Sequence, residues 1–125
     1  MGWNKGGVIP SQLLRSMIDS KRISSKLNLY PHVQPASIDL PVGEVAYEMQ
    51  GVVLPRKGEK VADIIQKYRV PQVKAIDLTK GAILEKGVTY LIRSAVRLNL
   101  DSDIKVDASP KSSIGRIDLH TRTVV

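Results

Sequence analysis

The chain has 125 residues, 42% hydrophobic and 25% charged, which fits a single domain with one core and excludes a disordered polymer. It contains no cysteine, which excludes disulfides, Cys-ligated zinc and a thiol nucleophile. The net charge of +7 raises the question of nucleic acid, but the cations are dispersed among carboxylates, with no basic stripe or aromatic ladder, so a small anionic ligand accounts for the charge and no DNA or RNA is expected.

Residues 1–7 read as a polar, flexible arm carrying Trp3. Leu13, Leu14, Met17 and Ile18 share one helical face, and Ser11 stands in N-cap position, so a short amphipathic helix is predicted over Gln12 to Asp19. From Ile23 the period turns extended. Ala36, Ile38 and Leu40 alternate with Ser37 and Asp39, and Val45, Tyr47 and Met49 alternate after the interruption at Pro41 and Gly43.

A basic insertion loop is predicted over 56–73. Within it Val61, Ala62, Ile64, Ile65 and Tyr68 have helical spacing between Gly58 and Pro71, which places two or three helical turns around 60–68. Short strands are expected at 75–78, 82–84, 88–92, 96–100, 104–108 and 114–119, separated by turn signals such as Lys80-Gly81 and Lys86-Gly87. With no Phe and only Trp3 and four tyrosines, the interior must be aliphatic. This pattern points to a mainly β fold, an antiparallel barrel or sandwich rather than βαβ units. No signal-type or membrane-spanning run occurs, so a soluble cytoplasmic protein is expected, with no membrane partner.

The densest chemistry lies in Lys111-Ser112-Ser113-Ile114-Gly115-Arg116. Lysine offers a point charge, arginine a planar fork of donors, the serines hydroxyl donors, and glycine a close backbone approach, a set suited to polyphosphate. The ordinary reading of the same residues is a surface turn. His32 and His120 lack any metal-ligand spacing, and the His-x-Glu and Cys-x-x-Cys segments of zinc nucleobase deaminases are missing, so no protein-bound metal is expected. There is no Walker loop, dinucleotide fingerprint or serine-hydrolase elbow either.

Three stretches occur in the order and spacing of the dCTP deaminase family: Gln34-Pro35-Ala36-Ser37-Ile38-Asp39-Leu40, Gly81-Ala82-Ile83-Leu84-Glu85-Lys86-Gly87-Val88-Thr89-Tyr90-Leu91 and Pro110 to Leu119. With Gly7 to Gln12, the wording looks most like the N-terminal half of the long bacterial form that carries two such domains. The resemblance implies a dUTPase-like β-clip or distorted β-barrel, with a short N-terminal helix and the insertion around 60–68. It also implies a homotrimer with sites between subunits, and hydrolysis of dCTP to dUTP and ammonia without zinc, dUTP and dTTP being further possible ligands. Lys111, Ser112, Ser113, Ile114, Gly115 and Arg116 match its nucleotide-binding loop. Ser112 would position water and base, Ser113 and Lys111 would hold phosphate, and Arg116 would orient the catalytic carboxylate. No cofactor would be tightly bound, and Mg2+ would arrive on the triphosphate.

The chain departs from the family pattern at Pro41, where many members have arginine, and at Asn99, where proline is usual. The family's general base is a glutamate well downstream, and none follows Arg116. The resemblance therefore implies a single incomplete domain over 1–125, truncated before the closing strands and inactive by itself. The other readings are a nucleotide-binding or oligomerisation module without turnover, a dUTPase-like pyrophosphatase, and a β-domain with no ligand.

Overall fold

A computed structural model describes residues 7–117 and 119–121. All of the expected N-terminal arm but Gly7 lies outside the described residues, Trp3 included, as does Asp118 of the last expected strand. The chain forms two compact units, residues 1–41 with 94–105, and 42–93 with 106–125.

The first unit is built on helix α1, Ser11–Asp19. Its apolar stripe puts Leu14 in the core and leaves Met17 and Ile18 partly buried against it. Pro10, not Ser11, is the N-cap, with extended backbone at φ −77° and ψ 166°. The Pro10 carbonyl already accepts from the amides of Leu13 and Leu14 at 3.1 Å, and Ser11 becomes the first helical residue, its amide donating to the Pro35 carbonyl at 2.9 Å. The helix ends in a Schellman turn. The Lys21 amide donates to Ile18 O at 3.1 Å and the Arg22 amide to Met17 O at 2.9 Å, with Lys21 left-handed at φ 65°.

After that turn β1 (Ile23–Ser24) pairs antiparallel with β5 (Arg97–Leu98), Ile23 opposite Leu98. The junction is extended by the Asn99 amide on Arg22 O at 2.7 Å and the Ser25 hydroxyl on Ala95 O at 2.7 Å. Leu14, Ile23, Leu29 and Val96 form the core, with Ile9, Val33, Ile38 and Leu100 packed around them. An ion pair joins Arg22 to Asp101, but both side chains are about half exposed, so it adds no more than about 1 kcal/mol.

The predicted strand at 36–40 is reduced to a single bridge between Val33 and Ile38. A tight turn explains this: the Gln34 amide donates to Ser37 O at 2.8 Å and the Asp39 amide to His32 O at 2.9 Å, so the segment folds back on itself. Of the alternating face, Ile38 joins the core while Ala36 and Leu40 stay exposed.

The second unit contains β2 (Val42–Met49) between β3 (Ile76–Asp77) and β4 (Thr89–Ser94). Strands β2 and β3 are antiparallel, with Val45 opposite Asp77 and Ala46 opposite Ile76. Helix α2, Val61–Tyr68, confirms the helical insertion and lies against β2. Its Ile64 is 1% exposed, with Ala46 and Met49 also buried, and burying such a side chain is worth about 1.5–3 kcal/mol. Lysine has no acceptor, so only half of a capping box exists at its start, the Lys60 amide donating to Asp63 Oδ2 at 3.1 Å.

Between β3 and β4 the chain turns twice. At the second turn the Val88 amide reaches Glu85 O at 3.4 Å with Gly87 at φ +81°, a value that glycine adopts without strain. No strand forms at 82–84 or 104–108. The last expected strand, 114–119, is replaced at its start by helix α3, Ser112–Gly115. The β-preference of Ile114 is overridden by local bonding, since the Lys111 carbonyl accepts from the amides of Ile114 and Gly115 at 2.8 and 2.9 Å.

Candidate functional site

The candidate loop opens at Pro110, which fixes its own φ and biases Ser109 toward extended backbone. Lys111 is extended at φ −55° and ψ 145°, and the chain then winds into the single turn α3. Two further bonds close the turn, Arg116 N–H to Ser112 O at 3.0 Å and Ile117 N–H to Ile114 O at 3.2 Å. Four of the six predicted residues, Ser112 to Gly115, thus form one turn of helix, with Lys111 as its N-cap and Arg116 as its C-cap. Ser112 and Arg116, four apart, lie on the same side of it, and Ser113 lies about 100° around the axis.

Lys111, Ser112, Ser113, Gly115 and Arg116 are exposed, and Ile114 is half-buried. A helix of four residues carries little macrodipole, so what this turn offers chemically is its two cations and two hydroxyls. The glycine has a different meaning from the one expected of a strained turn. Gly115 is not in the left-handed region, and a Cβ built on it would come no nearer than 4.0 Å to Pro110 Cγ. Nothing within the described fold requires glycine at that position.

Tyr30 and Asp77, both outside this loop, have shifted pKa values. The Tyr30 hydroxyl donates to Asp19, and that hydrogen bond, reinforced by desolvation and the Asp19 charge against an opposing Arg15, raises the phenol above its ordinary value. Asp77 is held below the usual carboxylate range by the Thr79 hydroxyl at 2.7 Å and then by the Thr79 amide at 2.9 Å. The Asp19–Tyr30 pair escapes sequence reading because residues eleven apart share no helical or strand period. Asp77-Leu-Thr79 is legible as a turn in which Asp caps the amide two residues on.

A shallow concavity is lined by Ile18, Asp19, Lys21, Asn28 and Tyr30 with their neighbours, and none of residues 111–116 contributes to it. Among the described residues no three His, Cys, Asp or Glu side chains gather as a metal site. No helix among them is long and apolar enough to cross a membrane.

Comparison with known proteins identifies the family and the fold. Residues 5–125 match the profile of the family described as 2'-deoxycytidine 5'-triphosphate deaminase (DCD) N-terminal domain. No curated protein matches the sequence. Among solved structures, the crystal structure of 2'-deoxycytidine 5'-triphosphate deaminase from Agrobacterium tumefaciens is similar, with a TM-score of 0.82 and 33% identity over 90% of this chain. The chain spans 33% of the length of that protein. The fold is therefore that of the dCTP deaminases, the dUTPase-like β fold that the three sequence stretches imply.

Proposed function

Since the chain belongs to the 2'-deoxycytidine 5'-triphosphate deaminase N-terminal domain family, we propose that residues 1–125 supply the phosphate-binding side of an active site that converts dCTP and water to dUTP and ammonia without zinc. The carrying observation is the single turn that presents Lys111, Ser112, Ser113 and Arg116 to solvent while its backbone closes on itself. Lys111 and Ser113 hold phosphate oxygens. Ser112 positions the attacking water against the base. Arg116, on the same side of the turn as Ser112, orients the carboxylate that moves the proton and stabilises charge that develops on the ring.

Deamination adds water to C4 of cytosine, forms a tetrahedral carbon and expels the exocyclic nitrogen as ammonia. Of the water's two protons one ends on ring N3 and the other on the departing nitrogen, while the oxygen becomes the C4 carbonyl. One group must therefore take a proton from water and pass it to the substrate. In this reading the group is a glutamate brought to the loop from outside residues 1–125, and three copies build the complete sites between them. Residues 111–117 contain no carboxylate, which suits a Mg2+ carried by the triphosphate and coordinated by its oxygens and water. Pyrimidine deoxynucleotide synthesis in the cytoplasm is the setting that this chemistry fits.

Ammonia release from dCTP by the purified 1–125 polypeptide tests the proposal. The expected result is no turnover above background, with dCTP still bound. Turnover well above background, abolished by Lys111→Ala and by Ser112→Ala, would show that the base lies within these residues. Binding of dCTP, dUTP and dTTP without turnover in any assembly would favour the second reading, a nucleotide-binding module, which the open exposure of the loop also fits.

A further inference from the structure

The turn α3 is short for the task it is given. A single helical turn fixes several dihedrals in return for few bonds, so by itself it is marginal. Packing has little hold on it, since of Ser112–Gly115 only Ile114 is even half-buried. What closes it is backbone: the Ile114 and Gly115 amides share the Lys111 carbonyl at 2.8 and 2.9 Å, and the Arg116 amide reaches Ser112 O at 3.0 Å. Pro110 and Gly115 act on that closure in opposite directions.

Pro110 stands just before the N-cap Lys111, whose backbone is extended at φ −55° and ψ 145°. Its ring locks its own φ, leaves no N–H to satisfy, and narrows the conformations open to Ser109. The open loop therefore has fewer states to lose, which favours the closed turn. Gly115 does the reverse, because within a helix glycine surrenders more backbone freedom than any other residue. Its φ is not left-handed, and a Cβ built on it would lie 4.0 Å from Pro110 Cγ, an ordinary contact. Alanine would fit there and close the turn better, so the fold alone does not account for the glycine.

We infer that α3 is an equilibrium between an open and a closed turn, in which Pro110 is a positioning residue that favours closure, Gly115 opposes it, and the phosphates of a bound nucleotide complete it. The inference rests on the phosphate-binding reading above. Only the closed turn puts Ser112 and Arg116 on one side with Lys111 at its start. A ligand that bridges these side chains binds that form and draws the equilibrium toward it. Apparent affinity is then scaled by the closed fraction, which the two residues set without gripping the phosphates themselves. A turn that is not fully closed at rest lowers the affinity for dCTP and dUTP alike, which favours release of product.

In the isotopically labelled 1–125 polypeptide, the backbone chemical shifts of Ser112, Ser113 and Ile114 average over the two forms and read the closed fraction, while calorimetry reads dCTP affinity. Pro110→Ala should lower the closed-to-open ratio about two- to fivefold, and Gly115→Ala should raise it about two- to fivefold. The shifts of the buried Leu14 and Ile64 should stay where they are. The Kd for dCTP should follow the closed fraction, weaker in the first variant and tighter in the second, and saturating dCTP should bring all three proteins to the same helical shifts. Equal shifts at 112–114 in the three free proteins overturn the inference, since residues that only stabilise the fold as a whole leave the turn of the native state unmoved. So does a Gly115→Ala variant that closes the turn yet binds dCTP more weakly, which would assign the glycine to close approach of the ligand. Shifts that move as stated, with no dCTP bound by any of the three, would uphold the equilibrium and sink the phosphate-binding reading.

Discussion

The core of the first unit and the loop Lys111–Arg116 answer to different constraints. Leu14, Ile23, Leu29 and Val96 are buried among one another, and each is held by what it touches. In the loop, four side chains able to grip an anion project from a turn that its own backbone hydrogen bonds close. Packing explains the residue types in the first region and leaves those in the second unaccounted for. Exposure leaves Ser112, Ser113 and Arg116 little part in packing, and under the proposed reading a ligand sets their residue types together with that of Lys111. Substitutions should separate the two regions cleanly, with stability lost in one and affinity in the other.

The largest effect on stability is expected where burial is deepest. Ile64→Ala removes a side chain that is 1% exposed, and Leu29→Ala one that is 2% exposed. Each should cost about 2–5 kcal/mol, read from urea unfolding midpoints. A loss below about 1 kcal/mol would mean that these sites are not the cores the structure shows. Ser113→Ala, in contrast, should leave the midpoint within about 0.5 kcal/mol of wild type, as for other exposed substitutions.

A smaller effect of opposite sign is expected at Lys21. Its left-handed backbone, φ 65°, costs an L-residue about 1–2 kcal/mol, and glycine would recover that less about 0.5–1 kcal/mol of its own chain entropy. Lys21→Gly should therefore raise stability by roughly 0.5–1 kcal/mol in the same urea assay. A destabilised variant would contradict the Schellman turn.

The smallest effect is tied to pH. Asp77 is exposed, and its folded pKa is depressed by Thr79. Its contribution is thus fully present above the unfolded carboxyl value, 3.8, and disappears as pH falls through the lower folded value. Thr79→Val removes the hydroxyl donor but keeps the amide bond. The variant should be slightly less stable than wild type at neutral pH, and the gap should close in acid; a gap that persists unchanged in acid would remove Asp77 as its cause.

Sequence patterning captured what depends on period. The faces of α1 and α2 were legible because Leu14 and Ile64 sit on stripes of helical spacing. β2 was legible from Val45, Tyr47 and Met49, though the strand begins earlier, at Val42. What escaped was set by turn chemistry rather than by period. Residues 36–40 alternate well, but the bonds from Gln34 to Ser37 and from Asp39 to His32 fold them into a hairpin. Residues 114–119 offered β-preferring Ile114 and Ile117, and the Lys111 carbonyl recruits the first of them into a helix. Ser11 resembles an N-cap, but the carbonyl of Pro10 takes that place. The loop's residues were visible in the sequence as a composition, while their arrangement on one helical turn was not.

Calorimetric titration of dCTP into the 1–125 polypeptide and into its Lys111→Ala/Arg116→Ala variant tests the central claim most directly. Each charge-assisted hydrogen bond to phosphate is worth about 1.5–3 kcal/mol, so the account predicts affinity at least about tenfold weaker in the variant, with an unchanged urea midpoint. Equal affinity for dCTP in the two proteins would contradict it.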